Sequence, residues 1–277
     1  MESTIEFFKN ENKDYYKGKN IIITGATGGI GSVLVNTLLS LEANLLLISH
    51  NEEKINKIFY QTLNKLQYEI INLEDPKEIN LKFPSCLKKL KGKLDNLFIC
   101  HGIYSKDSIQ ECSIENFDKL ININVRSIFH ILSLSVPFLK LSKGNCVIIS
   151  SMESFIPVKN GFLNTTTKCM INSLVHNSAL ELAYFGVRIN AVAPGITNTK
   201  HRENNSDDNI DGLFKNFDTA NNKGDIFPLN KRILNPENIV DTILFLGSDE
   251  ASFITGEIIQ NDNGYGLNHD LSFTHNL

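Results

Sequence analysis

The sequence predicts one α/β domain: a doubly wound parallel sheet of about seven strands with helices on both faces. Three observations carry this. Short Ile/Leu/Val-rich runs recur from residue 20 to residue 261 with little polar–apolar alternation, as expected of strands buried on both faces. Between them lie stretches long enough for crossover helices. A glycine-rich turn joins the first run to the first such stretch.

The runs are NIIITG (20–25), NLLLIS (44–49), YEIINL (68–73), LDNLFIC (94–100), NCVIIS (145–150), VRINAV (187–192) and EIIQN (257–261). Helices are expected over 29–41, 52–66, 76–91, 113–141, 161–185 and 236–247. Residues 1–19 read as a polar lead-in and 20–277 as the single domain. The irregular stretch 196–228 is long and polar, which suits a substrate lid.

A chain of 277 residues can bury a large core without a disulfide or metal staple. Its net charge of −4 and pI near 6.0 argue against a nucleic-acid-coating protein. No apolar run approaches the roughly 20 residues that span a membrane. The lead-in carries mixed charge, unlike a secretory signal or a transit peptide, and the final His-Asn-Leu makes no convincing peroxisomal address. A cytoplasmic location is the expectation. Five cysteines, at 86, 100, 112, 146 and 169, are odd in number and form no C-x-x-C pair. Free buried thiols are expected, and no metal site.

The first strand runs into TGATGGIG, Thr24 to Gly31. Gly25, Gly29 and Gly31 permit a tight turn and close backbone approach to a pyrophosphate, with the N–H groups of a helix start behind them. A strand–helix turn with no ligand is the plain alternative. The spacing T-G-x-x-x-G-I-G, with Ile30 in its I position, resembles the short-chain dehydrogenase/reductase family, a Rossmann-type fold. The resemblance extends over about 245 residues: Asn124 in ININVRS, IISS at 148–151, Lys168, RINAVAPGITNT at 188–199, and the closing segment FLGSDEASFITGEIIQNDNGYG at 245–266.

The resemblance implies a nicotinamide cofactor contacted by Thr24, Gly25, Gly29, Ile30, Gly31, Gly102, Lys168, Pro194, Gly195, Thr197 and Thr199. Asn72, with Leu73 beside it in INLEDP, takes the place of the family's adenine-contacting Asp, and an amide still bonds the adenine edge. At the end of the second strand, Ser49 stands where NAD-preferring members carry Asp, and His50 follows. A hydroxyl and an imidazole accept a 2′-phosphate better than a carboxylate does, so NADP(H) is favoured over NAD(H). Solvated strand-end residues are the alternative reading of this pair.

The family's chemistry implies a Tyr as proton donor, a Lys four residues later that holds the ribose and lowers the Tyr pKa, a Ser that orients the substrate oxygen, and an Asn that anchors a water. Ser151, Lys168 and Asn124 match. Four residues before Lys168 stands Asn164, at the usual Ser–Tyr separation from Ser151. A carboxamide cannot do a phenol's acid–base work. The threonines at 165–167 are too weakly acidic, and Tyr184 lies far along the helix. Glu153 is the candidate substitute, because the dienoyl-CoA reductase branch displaces its Tyr to about this place. A carboxyl facing the nicotinamide could deliver the proton; a solvated loop carboxylate is the other reading.

A second departure is Ile99-Cys100-His101-Gly102, where the family shows N-N-A-G. Cys100 and His101 are either structural or face the cofactor. They are not a nucleophilic pair, since neighbours on a strand point to opposite faces. The expected activity is an NADP(H)-dependent oxidoreductase with a non-standard proton donor, acting on a small-molecule carbonyl, alcohol or activated double bond. A catalytically impaired cofactor-binding or structural subunit is the alternative. The 113–141 and 161–185 helices resemble those of the family's homodimers and homotetramers. Ile128, Ile131, Leu134, Met170 and Leu174 suit either core or interface.

Overall fold

The computed structural model describes residues 13–199, 229 and 233–267. The expected lid falls mostly outside them; of 196–228 only 196–199 are described. The elements are α1 (Lys13–Tyr16), β1 (Asn20–Thr24), α2 (Gly29–Ser40), β2 (Asn44–Ser49), α3 (Glu52–Ile58), β3 (Gln67–Ile70), α4 (Pro76–Lys89), β4 (Asn96–Ile99), α5 (Ile114–Ile121), α6 (Ser127–Ser142), β5 (Asn145–Ile149), α7 (Phe162–Leu182), β6 (Arg188–Pro194), α8 (Pro236–Gly247) and β7 (Ile258–Asn261). The seven strands form one parallel sheet in the order β3-β2-β1-β4-β5-β6-β7. That is the doubly wound arrangement, reversing at β1/β4, where such sheets open a crevice for a ligand.

Period-two alternation sends each strand's side chains to two cores. Ile22, Leu46, Leu97, Cys146 and Ile189 pack on one face against α4, α6 and α7. Ile21, Ile23, Leu47, Phe98 and Val147 pack on the other against α2 and α8. The lead-in joins the second core at its end. Tyr16 in α1 is fully buried and donates its hydroxyl hydrogen to the Leu244 carbonyl at 2.6 Å.

Several boundaries differ from the sequence reading, four of them as follows. β3 stops at Ile70 rather than 73, because the Asn72 N–H bonds Glu78 and its Oδ1 accepts from the Glu74 N–H, turning the chain. The expected 52–66 helix ends at Ile58 and resumes as a 3-10 turn, Leu63–Lys65. β6 runs on to Pro194, which needs no N–H at a strand end. The expected 113–141 helix splits into α5 and α6 around a π-helical turn, Asn122–Arg126. The unbroken helical run Ile114–Ser142 is long and apolar enough to cross a membrane by length and composition, a feature that the run-length reading missed. It buries Leu120, Ile128, Ile131, Leu132 and Leu139 in the domain, as a core helix does. The structure thus assigns Ile128 and Ile131 to the core, Leu134 and Leu174 to its margin, and Met170 to the surface. All five cysteines are unpaired; Cys86 and Cys146 are buried as expected, whereas Cys169 is exposed.

Candidate active site

The site lies along the carboxyl edge of the sheet. At β1 the chain turns through Gly25 with φ of 65°. A Cβ there would meet the His101 backbone N at 2.6 Å, and one at Gly31 would meet the Gly25 carbonyl at 2.2 Å. Only glycine lets these backbones approach. Gly28 caps α2 without a side-chain hydrogen bond, and the first turn holds no acidic residue. The leading N–H groups of α2 therefore face the edge uncapped, as an anionic pyrophosphate requires. Ile30 anchors the turn in the second core. Gly29 is covered by Thr199, which lies 2.6 Å from where its Cβ would be, so the segment after β6 closes on the turn. The residues present fit a nicotinamide dinucleotide.

Ser49 is buried and its Oγ lies 3.2 Å from Thr27 Oγ1, tying the end of β2 to the glycine turn. His50 is exposed. The solvated reading of this pair therefore fails for Ser49. Asn72 is exposed with its Oδ1 committed to the Glu74 N–H, and Leu73 packs against the first core.

After β4 the two unexpected residues separate. The Cys100 thiol is pushed up to about 12 by burial, and His101 is held down to about 3, first by burial and then by the Lys168 charge. His101 is a neutral pin. Ser127 donates its hydroxyl hydrogen to the Ile123 carbonyl at 2.6 Å, so its oxygen accepts from His101 Nε2–H at 2.7 Å. Nδ1 then accepts from the Thr24 hydroxyl, also at 2.7 Å. His101 thereby ties β1, β4 and α6 together. Beside it, Asn124 in the π-helical turn clamps the loop after β4, accepting from the Ile103 N–H and donating to the Ile103 carbonyl, both at 2.8 Å. Nδ2 also reaches Thr167 Oγ1 at 3.4 Å. Gly102 lies against this clamp: a Cβ there would be 3.4 Å from Asn124 Oδ1 and 3.7 Å from Lys168 Nζ.

Ser151 opens the turn after β5 and accepts from the Glu153 N–H at 3.2 Å, leaving its own O–H to donate. Lys168 is buried in α7 and donates to the Ile149 carbonyl at 2.8 Å. Burial pulls its ammonium down to about 8, against opposing pulls from Glu153 and Cys100. Glu153 is 8% exposed and Asn164 5%. Asn164 Nδ2 donates to Glu153 Oε2 in a short hydrogen bond. The carboxylate sits under the start of α7, with Oε2 3.3 Å from where a Gly161 Cβ would be. A solvated loop carboxylate is thereby excluded. Beside the start of α7, a cavity of about 400 Å³ is lined by Ile109, Pro157, Val158 and Phe162 together with the polar Asp107, Ser108, Asn160, Thr165 and Thr166. Pro194 and Gly195 finish β6, and Thr197 returns its hydroxyl to the Gly195 carbonyl at 2.9 Å.

The structure thus brings Gly102, Asn124, Ser151, Glu153, Asn164 and Lys168 to one edge. Sequence reasoning missed the structural role of His101.

A family model described as enoyl-(acyl carrier protein) reductase matches residues 25–266. The chain is 29% identical over 259 residues to a 3alpha-hydroxysteroid dehydrogenase of Mediterraneibacter gnavus, covering 89% of this chain and 96% of that protein. It is 28% identical over 256 residues to a 3-oxoacyl-(acyl-carrier-protein) reductase of Thermotoga maritima, covering 90% and 98%. The ligand-free aldohexose dehydrogenase of Thermoplasma acidophilum matches its fold with a TM-score of 0.80 at 23% identity, covering 92% of this chain and 98% of that one.

Proposed function

Given that the chain belongs to the short-chain dehydrogenase/reductase family, we propose that it is an NADP(H)-dependent oxidoreductase in which Glu153 handles the proton in place of the missing phenol. The observation that carries this is the buried Glu153–Asn164 pair beside Lys168. A bound nicotinamide supplies or accepts the hydride at the substrate carbon. Ser151 donates a hydrogen bond to the substrate oxygen. In oxidation the Glu153 carboxylate takes the hydroxyl proton as the carbon–hydrogen bond breaks. In reduction the Glu153 carboxylic acid returns it to the carbonyl oxygen. Lys168 would hold the nicotinamide ribose, and its ammonium acts on the same carboxylate. The substrate class is a small carbonyl compound or alcohol, in keeping with relatives named for hydroxysteroids and 3-oxoacyl groups; the cavity beside α7 suits such a body.

NADP(H) is favoured over NAD(H) because the end of β2 offers the Ser49 and Thr27 hydroxyls where a carboxylate would repel a 2′-phosphate. The protein is proposed to act as a homodimer or homotetramer through α6 and α7, which expose Phe129, Met170 and Leu180; sedimentation of a Phe129→Glu, Leu180→Glu variant as a monomer is the expected result.

The test is an NADPH fluorescence titration, then turnover on a carbonyl panel for the native chain, Glu153→Gln and Asn164→Tyr. Glu153→Gln should bind NADPH normally and lose about 10²–10⁴-fold in turnover, as removal of a general acid–base does. A second reading, a cofactor-binding or structural subunit, draws on the inert amide at 164. It is correct if NADPH binds and turnover arises only in Asn164→Tyr.

A further inference from the structure

Three side chains on one face of α7 hold the turn that follows β5, and the third has no assigned part in the site. Asn164, Lys168 and Asn172 follow one another at four-residue steps, so they share a stripe of the helix. Asn164 donates to Glu153 Oε2, and Lys168 donates to the Ile149 carbonyl at 2.8 Å. Asn172, half-buried one turn further along, grips the turn at both ends. Its Oδ1 accepts from the buried Ser150 hydroxyl at 2.6 Å, and its Nδ2 donates to Ser154 Oγ at 2.8 Å. Ser154 in turn donates its hydroxyl hydrogen to the Ser151 carbonyl at 2.6 Å. That last bond fixes the direction of the others. With its hydrogen spent on Ser151, Ser154 can only accept from Asn172, so the amide nitrogen faces Ser154 and the amide oxygen faces Ser150. Ser151 and Glu153 both lie between the two gripped serines.

We propose that Asn172 is a positioning residue: by bridging Ser150 and Ser154 it sets the Ser151 hydroxyl and the Glu153 carboxyl in register on one substrate oxygen. This rests on those two groups being the ones that meet the substrate. Asn172 acts through the turn and moves no proton itself. The bridge needs a donor and an acceptor on one rigid plane, which is what a carboxamide offers. A carboxylate of the same shape has no donor. It would draw the Ser154 hydroxyl hydrogen to itself and away from the Ser151 carbonyl. An alanine at 154 cuts the same link with no change of charge.

Two measurements test this, each on the full chain as native, Asn172→Asp, Ser154→Ala and the double variant. The first is amide hydrogen exchange and needs no turnover. The N–H groups of Ser154, Phe155 and Ile156 close the turn onto the Ser151 and Met152 carbonyls. They should exchange about tenfold faster in each variant, the shift that one lost hydrogen bond produces, while residues 162–171 of α7 keep their native rates. Native rates at 154–156 in both single variants overturn the clamp. The second is NADPH oxidation with a 3-oxoester, a cyclic ketone and a 3-oxosteroid. Each single variant should lower kcat by about 10²-fold, the scale of a small misplacement of reacting groups, with KM, NADPH affinity and thermal midpoint little changed. The double variant should be no slower than Asn172→Asp, because both changes cut one link. Native kcat in the single variants overturns the positioning role, and losses that multiply in the double variant overturn the link through Ser154. A native chain inactive on the whole panel overturns the oxidoreductase reading and the positioning role with it, while the exchange rates still decide the clamp.

Discussion

At β1 the turn into the helix is made almost wholly of backbone, whereas after β4 and β5 the corresponding turns are held by side chains. Gly25 and Gly31 let main chain meet main chain, and the start of α2 is left without a side-chain cap. Across the crevice, His101 pins three elements, Asn124 clamps Ile103, and Asn164 grips Glu153. A backbone-built half tolerates almost no change at its glycines, because the contact has no slack. A side-chain-built half can be rewired, provided each buried polar group keeps a partner. That asymmetry explains how the family's glycine turn persists beside polar turns that depart from the family's pattern.

Gly25→Val should show the first half at its most brittle. The residue combines positive φ with a contact 2.6 Å from His101 N. Left-handed strain and overpacking together predict a loss on the order of 5 kcal/mol in chemical denaturation. NADPH titration should show no binding. A variant that folds with normal stability would show that the β1 turn has more slack than its glycines indicate.

His101→Ala tests the other half. It leaves a cavity and strips Thr24 and Ser127 of partners, so a loss of about 2–4 kcal/mol is expected at pH 7. The native chain carries a further signature. His101 is held near pH 3, below its unfolded value of 6.5. Between those values the unfolded chain binds the extra proton, so native stability falls as pH drops, by about 1.4 kcal/mol per unit. Urea melts at pH 7, 5.5 and 4 should show that slope in the native chain and a shallower one in His101→Ala.

Lys168→Met sharpens the comparison from the alkaline side. The ammonium titrates near 8 when folded against 10.5 in its ordinary state. Over that window the unfolded chain holds more protons, so the lysine's contribution to stability rises with pH, by about 3 kcal/mol in all. The difference between native and Lys168→Met stabilities, measured from pH 7.5 to 10.5, isolates this from the thiols and phenols titrating alongside. A difference that stays constant would mean that Lys168 is not buried as an ammonium.

How far the sequence revealed this follows from the same asymmetry. The backbone-built half was legible: glycine spacing, strand composition and strand–helix alternation are local signals, and β1, β2 and the α2 start fall where they predict. The place of Asn164 four residues before Lys168 was legible too, since the Ser151–Asn164–Lys168 spacing is a matter of counting. What surrounds Asn164 was not. Glu153 reads as a loop carboxylate until Gly161 and Asn164 cover it in three dimensions. His101 reads as an oddity because its partners lie 77 and 26 residues away. The π-helical turn around Asn124 and the burial of Tyr16 depend likewise on packing from distant elements. Polar networks are set by who meets whom, and period and composition do not encode that.

The smallest expected effect probes the end of β2, where the glycine turn meets a side chain. Ser49 is buried at the end of β2 and bonded toward Thr27, so its side chain lies beside the glycine turn. Ser49→Asp places a carboxylate there without disturbing the β1 glycines. Charge repulsion should weaken NADPH by about tenfold, near 1.4 kcal/mol, while NADH binding holds or improves. Isothermal titration with both cofactors reads this directly. Equal weakening of both would mean that the substitution has damaged the turn itself, and the end of β2 would then belong to the brittle backbone-built half rather than to a tunable margin between them. Unequal weakening makes this edge the one place in the nucleotide half where a side chain, rather than main chain, sets what binds.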